Sequence, residues 1–456
     1  MENKEKIILP QGFEEMVRGV IGDSEWNAFV EALSAEPSVS VRINSQRSIV
    51  NGQQSIFNSQ LSTVKWCEWG RYLAERPKFT YDPMFHAGGY YVQEASSMFV
   101  WQALKQYVEK DAVVLDMCAA PGGKSTAIAQ YLSKDGFLVS NEYVPQRAHV
   151  LVENITKWGA PNCVVTNNAP RHFEKLKMKF DAILVDAPCS GEGMFRKDER
   201  AREEWSPANV EMCVERQREI LESAWEVLKP DGVLIYSTCT FNSHENEEQV
   251  QWLIEEKMGA EYLPIKIEAD WMITETERGY RFLPHKTRGE GLFLAAVRKQ
   301  CTIHDEKKAK DKKEKKHKKE NNSQLSTLNL LDGDFVVMEC EGRYHAVQSL
   351  RADLVAECRK TLNVLAFGVQ IFEQKGKDLI PQTALAMSQA YKRGAYPEVA
   401  LSYDEAISFL RKEAIVLADA PRGFVLVTYS GLPLGWVKNI GNRCNNLYPE
   451  FWRIRN

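Results

Sequence analysis

The chain has 456 residues, a formal net charge of −4 at pH 7 and a hydrophobic share of 44%. This length predicts more than one domain, about three at roughly 150 residues each, and the composition is typical of a globular protein in water. No apolar run reaches the length of a membrane span, and the first residues lack the apolar segment of a signal peptide. The near-neutral charge excludes a globally basic nucleic-acid-binding protein, so any such surface must be a local patch.

Ten cysteines are scattered along the chain, and none of them forms a CxxC pair. This spacing predicts neither a zinc cluster nor a disulfide framework. We therefore interpret the cysteines as reduced thiols, and we expect a cytoplasmic protein without a metal site.

Residues 1 to about 90 are predicted to form a small α+β unit with two amphipathic helices. Ser38–Asn44 (SVSVRIN) alternates like a half-buried strand and ends in Arg42 and Asn44. The stretch from Lys65 to Tyr81 is dense in aromatic and basic residues. Such a mixture suits stacking on bases and contact with phosphates, but it equally suits an irregular packed segment.

The stretch Val113–Ser125 (VVLDMCAAPGGKS) has the pattern of a strand, a tight turn and a helix. Its apolar run ends in Asp116, small residues follow, and a helix is predicted to begin near Lys124. Small residues at such a turn let backbone N–H groups and the positive end of the helix approach a ligand. In an open α/β sheet this turn lies beyond the carboxyl ends of the strands, where nucleotide-like cofactors bind.

Strands and helices alternate from Tyr90 to Lys299, which predicts a doubly wound sheet. The turn that contains Gly122 and Gly123 is called the glycine turn below. Glu142 stands roughly 20 residues beyond it, where an acidic residue can accept hydrogen bonds from the hydroxyls of a ribose. The later strands are predicted at Phe137–Tyr143, Asn162–Asn167, Phe180–Asp186, Gly232–Tyr236 and, at the end of the sheet, Gly291–Val297.

Residues 305–322 are charged and lack apolar anchors, so they are interpreted as a linker. The remaining residues are predicted to form a small α+β unit and then a compact β-rich module with a basic, aromatic tail.

Cys189 (DAPCSGEG) and Cys239 (STCTF) each follow an apolar run, at the ends of two adjacent predicted strands. A lone cysteine there is more often a small buried residue, but two thiols facing one cofactor site favour a functional role. A thiolate that adds to carbon 6 of a pyrimidine makes carbon 5 nucleophilic toward a methyl donor. Asp186 could then contact the ring near N3, and Lys124 could add positive charge. These arguments leave the roles of the two thiols exchangeable.

Four motifs resemble those of the NOL1/NOP2/Sun family of RNA 5-methylcytosine methyltransferases: YYVQEASSM, DMCAAPGGKS, DAPCSGEGMFRKD and STCTFNSHENE. The flanking regions resemble the bacterial RsmF-type branch, which acts on cytosine C5 of 16S rRNA. The resemblance implies an α/β fold with a Rossmann-like domain built on a seven-stranded, mostly parallel sheet. It also implies an N-terminal RNA-binding domain at 1–90, a catalytic domain at 91–300, a linker at 301–325, a small α+β domain at 326–390 and a PUA-like domain at 391–456.

The resemblance also implies residue roles. Cys239 becomes the nucleophile, Cys189 helps to release the product, Glu142 holds the ribose and Asp186 lies beside cofactor and base. Asn168 stands where the family usually has an aspartate near the adenine, so its amide is expected to make that contact. The methionine end of S-adenosylmethionine is expected to be wrapped by Cys118, Ala119, Ala120, Pro121, Gly122, Gly123 and Lys124.

The expected function is formation of 5-methylcytosine in the decoding region of 16S rRNA, within the 30S subunit, by a monomeric enzyme that depends on S-adenosylmethionine. Methylation there could alter aminoglycoside binding. A tRNA 5-methylcytosine methyltransferase and an RNA-binding ribosome-assembly factor are the alternatives. A nicotinamide dehydrogenase is disfavoured, because AAPGGKS lacks the GxGxxG spacing.

Overall fold

A computed structural model describes residues 7–48, 61–301 and 329–455. The predicted linker, apart from its first residue Cys301, lies outside these residues. The helices are α1 (Phe13–Ile21), α2 (Asp23–Leu33), α3 (Ser45–Ser48), α4 (Pro83–His86), α5 (Val100–Tyr107), α6 (Gly123–Tyr131), α7 (Pro145–Trp158), α8 (Glu199–Glu204), α9 (Pro207–Val227), α10 (Glu247–Glu256), α11 (Ala352–Thr361), α12 (Thr383–Met387) and α13 (Tyr403–Leu410).

The strands are β1 (Val39–Ile43), β2 (Thr63–Val64), β3 (Cys67–Leu73), β4 (Tyr90–Val92), β5 (Val113–Asp116), β6 (Phe137–Asn141), β7 (Cys163–Thr166), β8 (Phe180–Asp186), β9 (Leu228–Thr238), β10 (Ala260–Leu263), β11 (Thr274–Thr276), β12 (Gly279–Phe282), β13 (Leu292–Lys299), β14 (Phe335–Cys340), β15 (Arg343–Gln348), β16 (Val364–Phe367), β17 (Val369–Lys375), β18 (Asp378–Pro381), β19 (Glu398–Ala400), β20 (Gly423–Tyr429), β21 (Leu432–Asn439) and β22 (Cys444–Asn446).

A ten-stranded mixed sheet forms the centre of the molecule, in the order β11-β12-β13-β9-β8-β5-β6-β7-β16, with β10 paired to β13. Strands β5 to β9 run parallel and are rich in apolar residues, as expected of strands that are buried on both faces. Helices α5, α6 and α7 pack on one face, and α9, α10 and α11 pack on the other. The parallel strand ends, with their turns, therefore meet at one edge of the sheet.

The sheet has ten strands, whereas the resemblance implies seven. Four of the ten have no counterpart among the strands predicted for this sheet from the sequence, and all four are antiparallel: the hairpin β11–β12, the short β10, and β16 from the C-terminal part of the chain, which pairs with β7. Strand β13 was predicted at the end of the sheet, but it lies inside it between β9 and β12. The reason is that the hairpin that precedes β13 in sequence folds back and covers its outer edge.

The N-terminal sheet has the order β2-β3-β1-β4 and packs beside the central sheet. Its aromatic and basic stretch divides between core and surface. Trp66, Tyr72 and Phe79 are buried, whereas the cations Lys65 and Arg71 are not. The packed interpretation therefore holds for these three rings.

Helices α1 and α2 contribute an aromatic cluster that packs directly on the central unit. The rings of Phe29 and Phe241 meet edge to face, with 5.0 Å between centroids. Because Phe241 follows Cys239 by two residues, the N-terminal helices support the loop that holds this cysteine.

Two further four-stranded sheets, β14-β15-β17-β18 and β19-β20-β21-β22, complete the C-terminal part. Among residues 7–48, 61–301 and 329–455, no helix combines the length and the apolar character that a membrane span needs.

Candidate active site

The glycine turn joins the end of β5 to the start of α6. The Met117 N–H donates to the Leu184 carbonyl at 2.9 Å, and the Ala119 N–H donates to the Asn141 carbonyl at 2.7 Å. Gly122, the N-cap of α6, has a φ of +117°, a conformation that side chains disfavour. The turn is thus fixed to the ends of two neighbouring strands, with the N-terminus of a helix behind it.

Three charged groups lie at the ends of β5, β8 and helix α6. Lys124 Nζ lies 2.8 Å from Asp186 Oδ1, which also accepts a 2.8 Å hydrogen bond from Ser237. Burial lowers the pKa of Lys124, but the charge of Asp186, its hydrogen bond with Lys124 and the charges of other nearby acidic groups together outweigh this effect, so the pKa is raised overall. Lys124 is therefore a permanent cation beside this carboxylate.

Asp116 is fully buried at the end of β5. Burial raises the pKa of its carboxyl to about 7, although Ser125 donates a 2.6 Å hydrogen bond to Oδ2 and opposes that shift. Its Oδ1 has no hydrogen-bond partner among the described residues. A buried oxygen without a partner is costly and fits a site that is completed by a ligand.

We expect Asp116→Asn to change how stability depends on pH. The folded-state pKa of about 7 lies above the ordinary 3.8. The carboxyl therefore stabilises the fold fully below about pH 4, and this contribution is lost as the pH rises toward 7. In urea unfolding without ligand, the free energy of unfolding of the wild type should fall between pH 5 and pH 7 by about 2 kcal/mol more than that of D116N. Parallel curves for the two proteins would contradict this assignment.

The two cysteines lie side by side, with 3.3 Å between their sulfurs and no disulfide. Strands β8 and β9 run parallel with Asp186 opposite Ser237, so the loops that follow bring the thiols together. The hydrogen bond with Cys239 and burial raise the pKa of Cys189 well above its ordinary value of 9.0. The Cys189 thiol therefore keeps its proton.

Two buried glutamates, which the sequence analysis did not single out, hold the loops that follow β8 and β9. These loops carry Cys189 and Cys239 and are called the cysteine loops below. Glu245 accepts hydrogen bonds from the Ser190 N–H at 2.9 Å and from Gln217 at 2.8 Å. Glu192 accepts from the Asn242 N–H at 2.9 Å and from the Asn242 side chain at 2.8 Å. The only available signal was that both glutamates lie within the cysteine motifs. A carboxylate that accepts hydrogen bonds from backbone N–H groups leaves no recognisable pattern of side chains in the sequence.

Gly193 brings the two loops into contact. Its N–H donates to the Cys239 carbonyl at 2.7 Å, and a Cβ added there would lie only 2.8 Å from that same oxygen. A side chain at this position would therefore force the cysteine loops apart.

Glu142 follows β6 directly and is buried. Its Oε1 accepts the Val144 N–H at 2.8 Å, and Arg147 lies 3.6 Å from Oε2. The remaining residues of the predicted cofactor site, Cys118 to Lys124, form the glycine turn itself. The structure thus brings Glu142, the turn, Asp186 and both cysteines to one edge of the sheet.

The side chain of Asn168 is hydrogen-bonded to the C-terminal part of the chain. Its Oδ1 accepts the Asn363 N–H at 3.1 Å, and its Nδ2 donates to the Asn363 carbonyl at 3.2 Å. The amide is therefore engaged with the residue before β16. These hydrogen bonds fasten the end of β7 to the C-terminal part, and the adenine contact of Asn168 stays a prediction.

Three family models match the chain. They are 16S rRNA methyltransferase RsmB/F over residues 103–298, the N-terminal domain of 16S rRNA methyltransferase RsmF over 9–95, and the methyltransferase RsmF PUA domain over 396–454. Each match falls on one part of the chain, in the order that the resemblance implied.

Curated relatives match over nearly the full length. Ribosomal RNA small subunit methyltransferase F of Cronobacter sakazakii is 31% identical over 482 residues, which cover 97% of this chain and 96% of the relative. The protein of the same name from Aeromonas salmonicida is 33% identical over 439 residues, which cover 90% of each chain.

Among solved structures, a methyltransferase homolog protein from Pyrococcus horikoshii has a TM-score of 0.55 and 28% identity, covering 63% of this chain and 94% of its own. NSun6 from Pyrococcus horikoshii with SFG also has a TM-score of 0.55, at 23% identity, covering 64% and 99%, and shares the fold. The predicted α/β fold class and the family resemblance are both confirmed. The chain belongs to the ribosomal RNA small subunit methyltransferase F family, with an RsmB/F catalytic domain between the N-terminal and PUA domains of RsmF.

Proposed function

We propose that this protein is an S-adenosylmethionine-dependent methyltransferase that forms 5-methylcytosine in the decoding region of 16S rRNA within the 30S subunit. The observation that carries the proposal is the pair of thiols, 3.3 Å apart, at the same sheet edge as the glycine turn. Methylation of an exocyclic amine or a ribose hydroxyl needs no thiol. Addition to carbon 6 of a pyrimidine needs one.

The residues at the sheet edge fit the cofactor. The glycine turn from Cys118 to Lys124 would hold the methionine end, Glu142 would accept the ribose hydroxyls, and the partnerless oxygen of Asp116 would accept a further donor. When bound, S-adenosylmethionine supplies an electrophilic methyl group.

Cys239 is the proposed nucleophile. Its thiolate adds to carbon 6 of the cytosine, and the electrons of the C5–C6 double bond then make carbon 5 nucleophilic. Asp186, fixed by Lys124 and Ser237, would hold the N3 side of the ring by accepting a hydrogen bond from the exocyclic amine of the cytosine. The positive charge of Lys124 would offset the negative charge that builds up on the ring. Lys124 keeps the local charge balance because it remains protonated.

Cys189 is proposed to act after methyl transfer. The hydrogen bond with Cys239 and the negative charge on that sulfur are among the causes that raise the pKa of Cys189. Both are weakened once the Cys239 sulfur is bonded to carbon 6, so Cys189 becomes easier to deprotonate. Cys189 then loses its proton to solvent, and its thiolate takes the proton from carbon 5 while the C5–C6 double bond re-forms and Cys239 leaves as a thiolate.

The target base must be unstacked and turned into the crevice to reach both sulfurs. The N-terminal and PUA-like parts would hold the surrounding RNA through phosphate and shape contacts. A monomer in the cytoplasm is the expected state of the enzyme.

The test combines labelled S-adenosylmethionine with undermodified 30S subunits, naked 16S rRNA and tRNA in parallel, followed by bisulfite mapping of any RNA that takes up label. Label at a decoding-region cytosine of 16S rRNA supports the whole proposal. Label on tRNA alone would keep the chemistry and overturn the substrate. No label on any RNA would overturn the catalytic assignment and favour an assembly factor.

Deletion of the gene is expected to change aminoglycoside susceptibility, because these drugs recognise the shape of an RNA site and a methyl group alters that shape. The measurement is the minimal inhibitory concentration in deleted and complemented strains. Equal values would remove this expectation without affecting the proposed chemistry.

A further inference from the structure

Arg42, in strand β1 of the N-terminal sheet, is completely buried against the first turn of helix α6. Its Nη2 donates to Thr126 Oγ1 at 2.5 Å and to the Gly123 carbonyl at 3.2 Å. Its Nε donates to the Gln93 side chain at 2.8 Å. The guanidinium thus joins the N-terminal unit to the glycine turn.

The remaining contacts of Arg42 are also with neutral groups. Nη1 donates to the Gln130 side chain, and Cζ lies 4.5 Å from the centroid of the Trp158 ring. Burial lowers the pKa of Arg42 to about 10, so the group stays charged at neutral pH. A buried cation whose hydrogen-bond acceptors are all neutral is costly, and such a cost calls for a functional explanation.

The first turn of helix α6, Gly123–Thr126, contacts two different parts of the protein. Lys124 and Ser125 contact carboxylates at the ends of β8 and β5, whereas the residues on either side of them contact Arg42. The first turn of α6 is therefore held from the sheet and, separately, from the N-terminal unit.

We propose that Arg42 is a positioning residue for S-adenosylmethionine, an inference that rests on the function proposed above. It fixes the glycine turn in its binding conformation before the cofactor arrives, and its charge adds to the positive N-terminus of α6. A turn that is ordered in advance loses less entropy when it binds its ligand. The N-terminal unit would therefore contribute to cofactor affinity as well as to RNA binding.

The test is Arg42→Met, with two measurements. Hydrogen exchange of residues 117–130 without cofactor should become faster. The Kd for labelled S-adenosylmethionine in equilibrium dialysis should rise about tenfold, with little change in kcat at saturating cofactor. Arg42→Lys keeps the charge but not the planar fork, and should give intermediate values. If R42M does not fold, the same two measurements on R42K decide the question.

Arg47→Met is the matched control. Arg47 lies five residues further along the chain and is also buried, but its guanidinium donates to the carbonyls of Lys157 and Met387 and not to the turn. R47M should lose stability yet keep the wild-type Kd and the wild-type exchange of the turn. Wild-type affinity in R42M, or equal losses of affinity in R42M and R47M, would overturn the inference. Failure of the wild type to bind cofactor would instead contradict the proposed function.

Discussion

Cys239→Ala is expected to abolish methyl transfer to RNA, by at least about 10⁴-fold, since removal of a covalent nucleophile leaves only binding effects. Cys189→Ala should behave differently and accumulate a covalent protein–RNA adduct, because addition proceeds while loss of the carbon 5 proton is blocked. The two sulfurs lie 3.3 Å apart, so a single pyrimidine ring placed between the thiols would be within reach of both. The measurement is a denaturing gel of each variant with labelled RNA and S-adenosylmethionine.

Cys340→Ala serves as the control for thiol loss, because Cys340 lies in β14 outside the sheet edge that holds the site. It should keep wild-type transfer and form no lasting adduct. An adduct with C239A, and none with C189A, would reverse the two roles.

Asp186→Asn is expected to lower kcat by about 10²–10³-fold, the usual loss when one electrostatic partner of a transition state is removed. The asparagine keeps the shape and the hydrogen bond from Ser237, but Lys124 loses its counter-charge. The double variant D186N/C189A should form adduct at least about tenfold more slowly than C189A, because the defect lies in the addition step.

Asp181→Asn is the matched control, with the same substitution in the same strand. Asp181 stands near the other end of β8 and pairs with Lys229 at 2.7 Å, away from both thiols. D181N should keep wild-type kcat. Equal rates for D186N and the wild type would show that Asp186 does not stabilise the addition.

The parallel part of the central sheet could be predicted because its strands are continuous apolar runs that end in functional residues. Phe180–Asp186 has the predicted limits, and the strand before Cys239 was found although it begins earlier, at Leu228. Adjacent strand ends then implied that the two thiols face one crevice, which the 3.3 Å distance bears out.

The contacts that the sequence did not reveal join distant parts of the chain. Asn168 hydrogen-bonds Asn363, 195 residues away, so no local pattern could show that its amide is engaged. The pairing of β16 with β7 could not be predicted either, because the four residues of β16 are typical of any short strand and do not indicate which strand lies beside them. Glu192 and Glu245 were missed because glutamates are mostly exposed in folded proteins, so neither was expected to be buried.

The pairing of β16 with β7 has a consequence for any shortened form of this enzyme. All four residues of β7 are buried, and β16 hydrogen-bonds to their outer edge in an antiparallel register. A truncated chain that stops after β13 would keep every proposed reactive group but would expose a flat, apolar edge strand. Such edges pair with other chains, so an isolated catalytic fragment should aggregate during expression.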